Sequence, residues 1–388
     1  MNLFTTKLNQ TREHLIHGDI DLGFRCLVDC VLDTQNTNHY RAVIDLVEWH
    51  EAHENDNEAY TEKLLQLTDS LTNETVLFNE IPTLLAVDTL VKEYPRSKFS
   101  IGPISLDLKA GEIWGLVGEN GNGKTSLLRT LAQDLSYDSG TIQYTNELQK
   151  LNSYELKTHL AYIPQRTPKW HGSLKSNLKF AASQYGTFGE ENELIVLMYI
   201  IRFGLWKFRH HRWSELSSGY KMRFELARTF LRKPKLLLLD EPLANLDVLA
   251  QQLILEDLKN MGKSLSNPLG IILSSQQLFE VEKVADKVIF LKQGKPVYSD
   301  HSGQADVNEN TTPETILELD AQITKEVLLQ ILSVHQPTKA SYNGGVFLLH
   351  FSAEQHMNDI MQTLINHQVQ MTYIRDISKS TRRLFIQH

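Results

Sequence analysis

Residues 118–125 read Gly118-Glu119-Asn120-Gly121-Asn122-Gly123-Lys124-Thr125, a complete G-x-x-x-x-G-K-[ST] pattern. Glu112-Ile113-Trp114-Gly115-Leu116-Val117 before it is short, apolar and β-prone, and Ser126-Leu127-Leu128-Arg129-Thr130-Leu131-Ala132 after it has helical spacing. Strand, glycine loop and helix in that order predict a phosphate-binding loop. Gly118, Gly121 and Gly123 let the backbone curl until its N–H groups point inward at an anion, and the helix start adds partial positive charge. Lys124 is spaced to reach the β- and γ-phosphates of a nucleoside triphosphate and the Thr125 hydroxyl to ligate Mg²⁺. Glu119, Asn120, Asn122 and Ser126 complete the predicted cradle.

Downstream, Lys235-Leu236-Leu237-Leu238-Leu239-Asp240-Glu241-Pro242 reads as a strand buried on both faces with acids where it ends. Open α/β sheets bind ligands at those carboxyl ends. Asp240 is therefore expected to hold Mg²⁺, and Glu241 to polarise an attacking water as a general base. Between the two motifs, Glu215-Leu216-Ser217-Ser218-Gly219-Tyr220-Lys221-Met222-Arg223 is a Ser/Gly turn running into the expected helix 224–231. Such a turn is an anion site or simply a capped helix start.

From about residue 84 to 300 these motifs, in this order, resemble the ATP-binding cassette family. Leu216-Ser217-Ser218-Gly219-Tyr220 is similar to its Leu-Ser-Gly-Gly-Gln signature, and Ala161-Tyr162-Ile163-Pro164-Gln165 to the loop whose glutamine reaches the metal. Ala244-Asn245-Leu246-Asp247 resembles the loop that carries an aspartate across a dimer, and Val91-Lys92-Glu93-Tyr94 puts Tyr94 where the family stacks an aromatic on adenine. The resemblance implies ATP and Mg²⁺ as cofactors, with Thr125, Gln165 and Asp240 around the metal and Lys124, Glu241 and residue 276 at the reaction. It implies a second cassette chain, a homodimer, enclosing two ATP molecules head to tail. Each ATP lies between one phosphate loop and the opposite Ser217–Gly219, with Asp247 at the same seam. Two departures stand out. Ser218 adds a side chain beside the retained Gly219. Gln276, within Leu273-Ser274-Ser275-Gln276-Gln277, stands where the family has a switch histidine. A glutamine amide can donate a hydrogen bond but cannot become cationic, so slow ATP hydrolysis is expected.

The chain's 388 residues, roughly two or three domains' worth, carry a formal net charge of −8. Lys and Arg are not gathered into a stripe, so nucleic acid is not the expected partner. Lys207-Phe208-Arg209-His210-His211-Arg212 reads as a solvated loop or helix end. Cys26 and Cys30, four apart on a predicted helix, suit a core better than a disulfide, and His14, His17, His39, His50 and His53 read as surface residues. The expected fold class is α/β: a P-loop nucleotide-binding domain with an N-terminal all-α segment and a C-terminal α+β domain. Residues 1–80 form four helices, broken at Asp19 and Asn36–Asn38. Residues 84–300 form the cassette, with a helical subdomain at about 166–216 and an antiparallel pair, 84–94 and 99–108, ahead of the loop. A polar linker at 300–310 leads to 311–388. There, strand 315–320, helix 325–332, a hairpin of 339–341 and 345–351 through Asn343-Gly344, helix 354–366 and strand 369–375 predict a β-α-β-β-α-β ferredoxin-like unit.

Met1–Gln10 is polar and no apolar run approaches the roughly 20 residues that cross a bilayer. The expectation is a cytoplasmic protein, peripheral on the inner face of the membrane, that drives separate membrane-spanning permease subunits. The groove for such a partner is expected beside 170–178 and up to about Trp213, with exposed apolar surface. The stretch 373–385 resembles the tails of export-type cassettes and points to export. The competing reading is a soluble regulatory scaffold that binds ATP without transport.

Overall fold

The computed structural model describes residues 3–76, 81–300, 314–343 and 345–378. Four helices come first: α1 (Leu3–Ile16), α2 (Ile20–Thr34), α3 (Thr37–Ala52) and α4 (Asn57–Ser70). Asp19, Asn36 and Asp56 side chains accept hydrogen bonds from the first-turn amides of α2, α3 and α4, which fixes where each helix starts. Their apolar faces share a core that includes Leu27, Val31, Val43 and Leu64, all 0% exposed. Cys30 sits inside it, its thiol pushed up to about 12 by burial. Three of the histidines are not the surface residues expected. His14, His39 and His50 are half-buried. His39 bonds Glu74 (2.7 Å), and His50 stacks on Tyr60 with centroids 3.8 Å apart.

Next come two sheets. Strands β1 (Thr83–Tyr94), β2 (Phe99–Lys109) and β4 (Ser139–Tyr144) form an antiparallel sheet in the order β2-β1-β4. The larger sheet comprises β3 (Ile113–Val117), β5 (Leu160–Ile163), β6 (Leu236–Leu239), β7 (Gly270–Ser275), β8 (Lys287–Lys292) and β9 (Lys295–Asp300) in the order β5-β6-β7-β3-β8-β9. Its first five strands run parallel and β9 pairs antiparallel with β8. Every residue of β3, β6 and β7 is buried, as continuous apolar runs covered on both faces require. One face packs on the antiparallel sheet and α5 (Lys124–Leu131), with α6 (Ser153–His159) beyond. The other packs on α7 (Leu174–Gln184), α8 (Gly189–Arg202), α9 (Ser218–Phe230), α10 (Val248–Gly262) and α11 (Leu278–Val281). Helix α9 starts six residues before the apolar run that predicted it, because the Ser217 hydroxyl caps its first turn.

The chain then forms β10 (Glu314–Ala321), α12 (Lys325–Ile331), β11 (Lys339–Asn343), β12 (Val346–Ser352), α13 (Met357–Asn366) and β13 (Met371–Asp376). The sheet order is β11-β12-β10-β13 and all neighbours are antiparallel. Helix α13 begins later than expected because Gln355 is held in the preceding turn. Its carbonyl accepts from Thr315 Oγ1 (3.0 Å) and its side chain meets His335 Nδ1 (2.8 Å). Gly344 of the expected hairpin turn, 301–310 of the expected linker and 379–385 of the tail lie outside the described residues.

The N-terminal helices lie against α8. Leu194, Met198 and Ile201 of α8 belong to the same apolar cluster as Leu27 and Val31. Within the basic stretch Lys207, His210, His211 and Arg212 are exposed, as expected of a solvated loop, while Arg209 reaches this seam: it stacks on Trp206 (4.2 Å) and pairs with Glu51 (3.5 Å), and Trp206 Nε1 donates to Glu51 (3.0 Å).

Where β3 passes α11, a Cβ on Gly115 would sit 2.0 Å from the Val281 side chain. Gly115→Ala is expected to destabilise the protein by about 1–3 kcal/mol through overpacking, read as a lower urea midpoint.

Candidate nucleotide site

Parallel pairing aligns the carboxyl ends of β5, β6, β7 and β3 along one edge. The chain therefore delivers Pro164-Gln165, Asp240-Glu241, Gln276 and the glycine loop to the same place. Gly121 (φ +84°) and Gly123 (φ +98°) adopt left-handed backbone that side-chain-bearing residues resist. A Cβ on Gly118 would lie 2.5 Å from the Leu291 carbonyl oxygen, so only glycine passes there.

Lys124 is 4% exposed and fully engaged. Its Nζ donates to the Gly118 carbonyl (2.7 Å) and the Glu119 carbonyl (3.2 Å), and pairs with Glu241 Oε1 (3.1 Å). Glu241 Oε2 accepts from Gln276 Nε2 (2.6 Å) and Gln165 Nε2 (3.1 Å). Glu241 itself sits at φ +48°, an uncommon backbone for a residue with a side chain. Asp240, 3% exposed, accepts from Thr125 Oγ1 (2.8 Å) and Tyr162 OH (3.3 Å) on Oδ2 and from Ser274 Oγ (3.0 Å) on Oδ1. Burial, then the Asp240 charge, push the Tyr162 phenol well above its ordinary range, so it stays a donor. One constellation thus unites Lys124, Thr125, Gln165, Asp240, Glu241 and Gln276. A cavity of about 230 Å³ lies beside it, lined in part by Glu241, Ala244, Asn245 and Gln276.

Other sequence-derived residues sit at the margins. Glu119, Asn120 and Gly121 are exposed, and Ser126 is half-buried in the first turn of α5. Asn122 Oδ1 accepts from the Gln293 amide (3.0 Å), bracing the loop. Tyr94 ends β1, its ring 6.2 Å from that of Phe99, and a Cβ on Gly123 would lie 3.5 Å from the Phe99 ring. Ser217, Gly219 and Asp247 form no hydrogen bond with the glycine loop among the described residues. Ser217 and Asp247 cap α9 and α10. The Ser218 hydroxyl, absent from the Gly-Gly-Gln pattern, donates to the Asn245 carbonyl (3.1 Å), and a Cβ on Gly219 would lie 3.3 Å from Ala250. The two exposed loops are thereby tied together.

Sequence reasoning missed Ser274, Tyr162 and Asp138. Ser274 Oγ donates to Asp240 and accepts from the Glu241 amide (2.9 Å), coupling the two acids. Asp138 accepts from the Glu93 amide (2.7 Å) and Lys92 Nζ (3.0 Å), fixing the strand end that carries Tyr94. A polar pair, Ser274-Ser275, ending an apolar strand was the available signal for the first. Nothing in the sequence pairs Asp138 with β1.

A family model described as ABC transporter matches residues 101–244. A putative export ATP-binding/permease protein of Rickettsia typhi is 29% identical over 61% of this chain, which covers 42% of that relative's length. The phosphonates import ATP-binding protein PhnC of Treponema denticola is 28% identical over 55% of this chain and 88% of its own. The uncharacterized ABC transporter ATP-binding protein YxlF of Bacillus subtilis is 31% identical over 55% of this chain and 69% of its own. Among solved structures, cbiO1 of Clostridium perfringens, part of the ABC transporter complex cbiONQ, superposes with a TM-score of 0.51 at 25% identity. That match covers 55% of this chain and 87% of that one.

Removing the Ser274 hydroxyl leaves a buried Asp240 oxygen and the Glu241 amide without this partner. Ser274→Ala is expected to cost about 1–3 kcal/mol of stability, measured by denaturant unfolding, and to weaken nucleotide binding measured by calorimetry.

Proposed function

The chain belongs to the ABC transporter family of ATP-binding proteins, and from that premise we propose that it is a transporter's ATP-hydrolysing subunit, working as a dimer around two MgATP. The observation that carries this reading is the meeting of Lys124, Thr125, Asp240, Glu241, Gln165 and Gln276 at one sheet edge.

The chemistry follows from the donors and acceptors present. Lys124 exchanges its loop carbonyls and Glu241 for the phosphates, and the N–H groups of 119–125 complete the anion cradle. Thr125, Asp240 and the Gln165 amide oxygen are hard oxygen donors that suit Mg²⁺. The metal would offset charge on the phosphates. Glu241 accepts the proton of the attacking water on its carboxylate, while Gln165 and Gln276 hold that carboxylate in place. Gln276 can turn its amide N–H to the γ-phosphate but stays neutral, so it contributes less than a cation would and turnover is slow. Tyr94 stacks on the adenine.

Ser217, Gly219 and Asp247 serve the opposite chain's nucleotide in this reading. Support comes from the exposure of Val248 and Leu249, at 77% and 67%, immediately after Asp247. Membrane-spanning permease subunits are the second partner. In this reading the chain attaches peripherally at the inner face; no helix among the described residues is long and apolar enough to cross a membrane. Phe180, Tyr185 and Phe188 expose apolar surface in and after α7, as a partner groove requires, whereas α8 is covered by the chain's own N-terminal helices. Export is favoured over import by the resemblance of the tail and by the similarity to the putative export ATP-binding/permease protein of Rickettsia typhi. We read residues 1–80 as a helical domain, 84–300 as the cassette and 311–388 as a ferredoxin-like domain, for which the β11-β12-β10-β13 order is the support.

The purified chain is expected to hydrolyse ATP slowly. Glu241→Gln should abolish turnover while retaining ATP and forming an ATP-dependent dimer in light scattering. ATP binding without turnover or dimerisation would replace this reading with the regulatory scaffold.

In the same assay Gln276→His should raise turnover about tenfold or more. An unchanged rate would mean that residue 276 does not limit the reaction.

A further inference from the structure

Arg202 ends α8 and its side chain is 0% exposed. Its Nε and Nη2 donate to Asp29 Oδ1 (2.5 Å) and Oδ2 (3.0 Å), a bidentate pair with α2 of the N-terminal helices. Its Nη1 donates to Asp257 Oδ1 (2.5 Å) on α10. Arg25, also on α2, approaches Asp257 (3.6 Å) and pairs with Glu256 (3.0 Å). One guanidinium therefore joins three parts of the molecule: the N-terminal helices, the helical insert, and the helix that follows Asp247.

Stability alone is a poor account of this arrangement. Taking these charges out of water is costly, and well-packed apolar side chains of similar volume serve stability as well or better. What an ion triad adds is direction, since a planar fork satisfies two carboxylates in one orientation only. The rest of the seam points the same way. Arg41 of α3 pairs with Glu190 in the first turn of α8 (2.5 Å), and Trp206 and Arg209 just beyond α8 reach Glu51 of α3. Helix α8 is thus fastened at both ends to the N-terminal helices, and through Asp257 to α10. The segment after Arg202 leads directly to Ser217 and α9.

We propose that Arg202, Asp29 and Asp257 are positioning residues that make the N-terminal helices a brace, setting the angle at which α9 and its Ser217–Gly219 turn are presented relative to the core that holds Lys124 and Glu241. The brace acts on the ATPase reading above, but its structural half stands apart from it.

The test compares the full chain with Asp29→Asn, using amide hydrogen exchange alongside steady-state ATP turnover. Exchange should quicken about tenfold across 189–230 while β3 and β6 keep their protection. The kcat should fall about fivefold or more, with KM for ATP and binding of a fluorescent ATP analogue within about twofold of the parent. Arg12→Ala, which removes an exposed pair between α1 and α4 away from this seam, should leave exchange in α9 unchanged. Parent-like exchange and kcat in Asp29→Asn would overturn the brace, and so would exchange that rises evenly through the whole chain. If Asp29→Asn does not fold, Arg25→Gln loosens the network from its rim and must give the same local pattern at smaller amplitude. A parent protein that neither binds nor hydrolyses ATP would sink the ATPase reading alone, because the exchange arm needs no nucleotide.

Discussion

A single buried carboxylate holds the site together. Asp240 is 3% exposed and takes hydrogen bonds from Thr125, Ser274 and Tyr162. Those donors belong to the helix after the glycine loop and to strands β7 and β5. A carboxylate this deep is tolerable only when its oxygens are satisfied, and charge-assisted bonds of this kind are among the stronger ones available. Asp240 consequently fixes the relative advance of three chain segments, and everything that must act together inherits that registration. Glu241 follows it in sequence, and its amide is held by the same Ser274 hydroxyl. The left-handed backbone at Glu241 turns its side chain back toward Lys124, Gln165 and Gln276. Strain at one residue is offset by four contacts around it.

The part of this that could be read from the sequence is the part governed by local rules. Strand-loop-helix order, four consecutive leucines and acids at a strand end report on neighbours in the chain, and the two motifs meet because parallel strands align their ends. The same holds at the C-terminus, where the β-α-β-β-α-β order of elements was legible because each element carries its own local signature. Two helix starts were misplaced where a side chain rather than an apolar period sets them. Ser217 opens α9 early, and Gln355 delays α13. Long-range polar partners were invisible for a related reason. Ser274 is an ordinary serine until β7 lies beside β6, and Asp138 is a loop acid until it meets the end of β1.

Arg202 is the sharpest case. A basic residue at a helix end is expected to face water and complement the helix dipole. Here it turns inward, because α2 and α10 each bring a carboxylate to the same point. Nothing local distinguishes the two fates. The consequence reaches beyond one side chain. The described residues of 1–80 carry no catalytic constellation, which makes them look like an appended interaction module. Their packing says otherwise, since Leu194, Met198 and Ile201 of α8 complete their core. Without these helices α8 would expose an apolar stripe and Arg202 would lose one of its two carboxylates, and either outcome disfavours the present fold. The N-terminal helices therefore share one apolar core with α8.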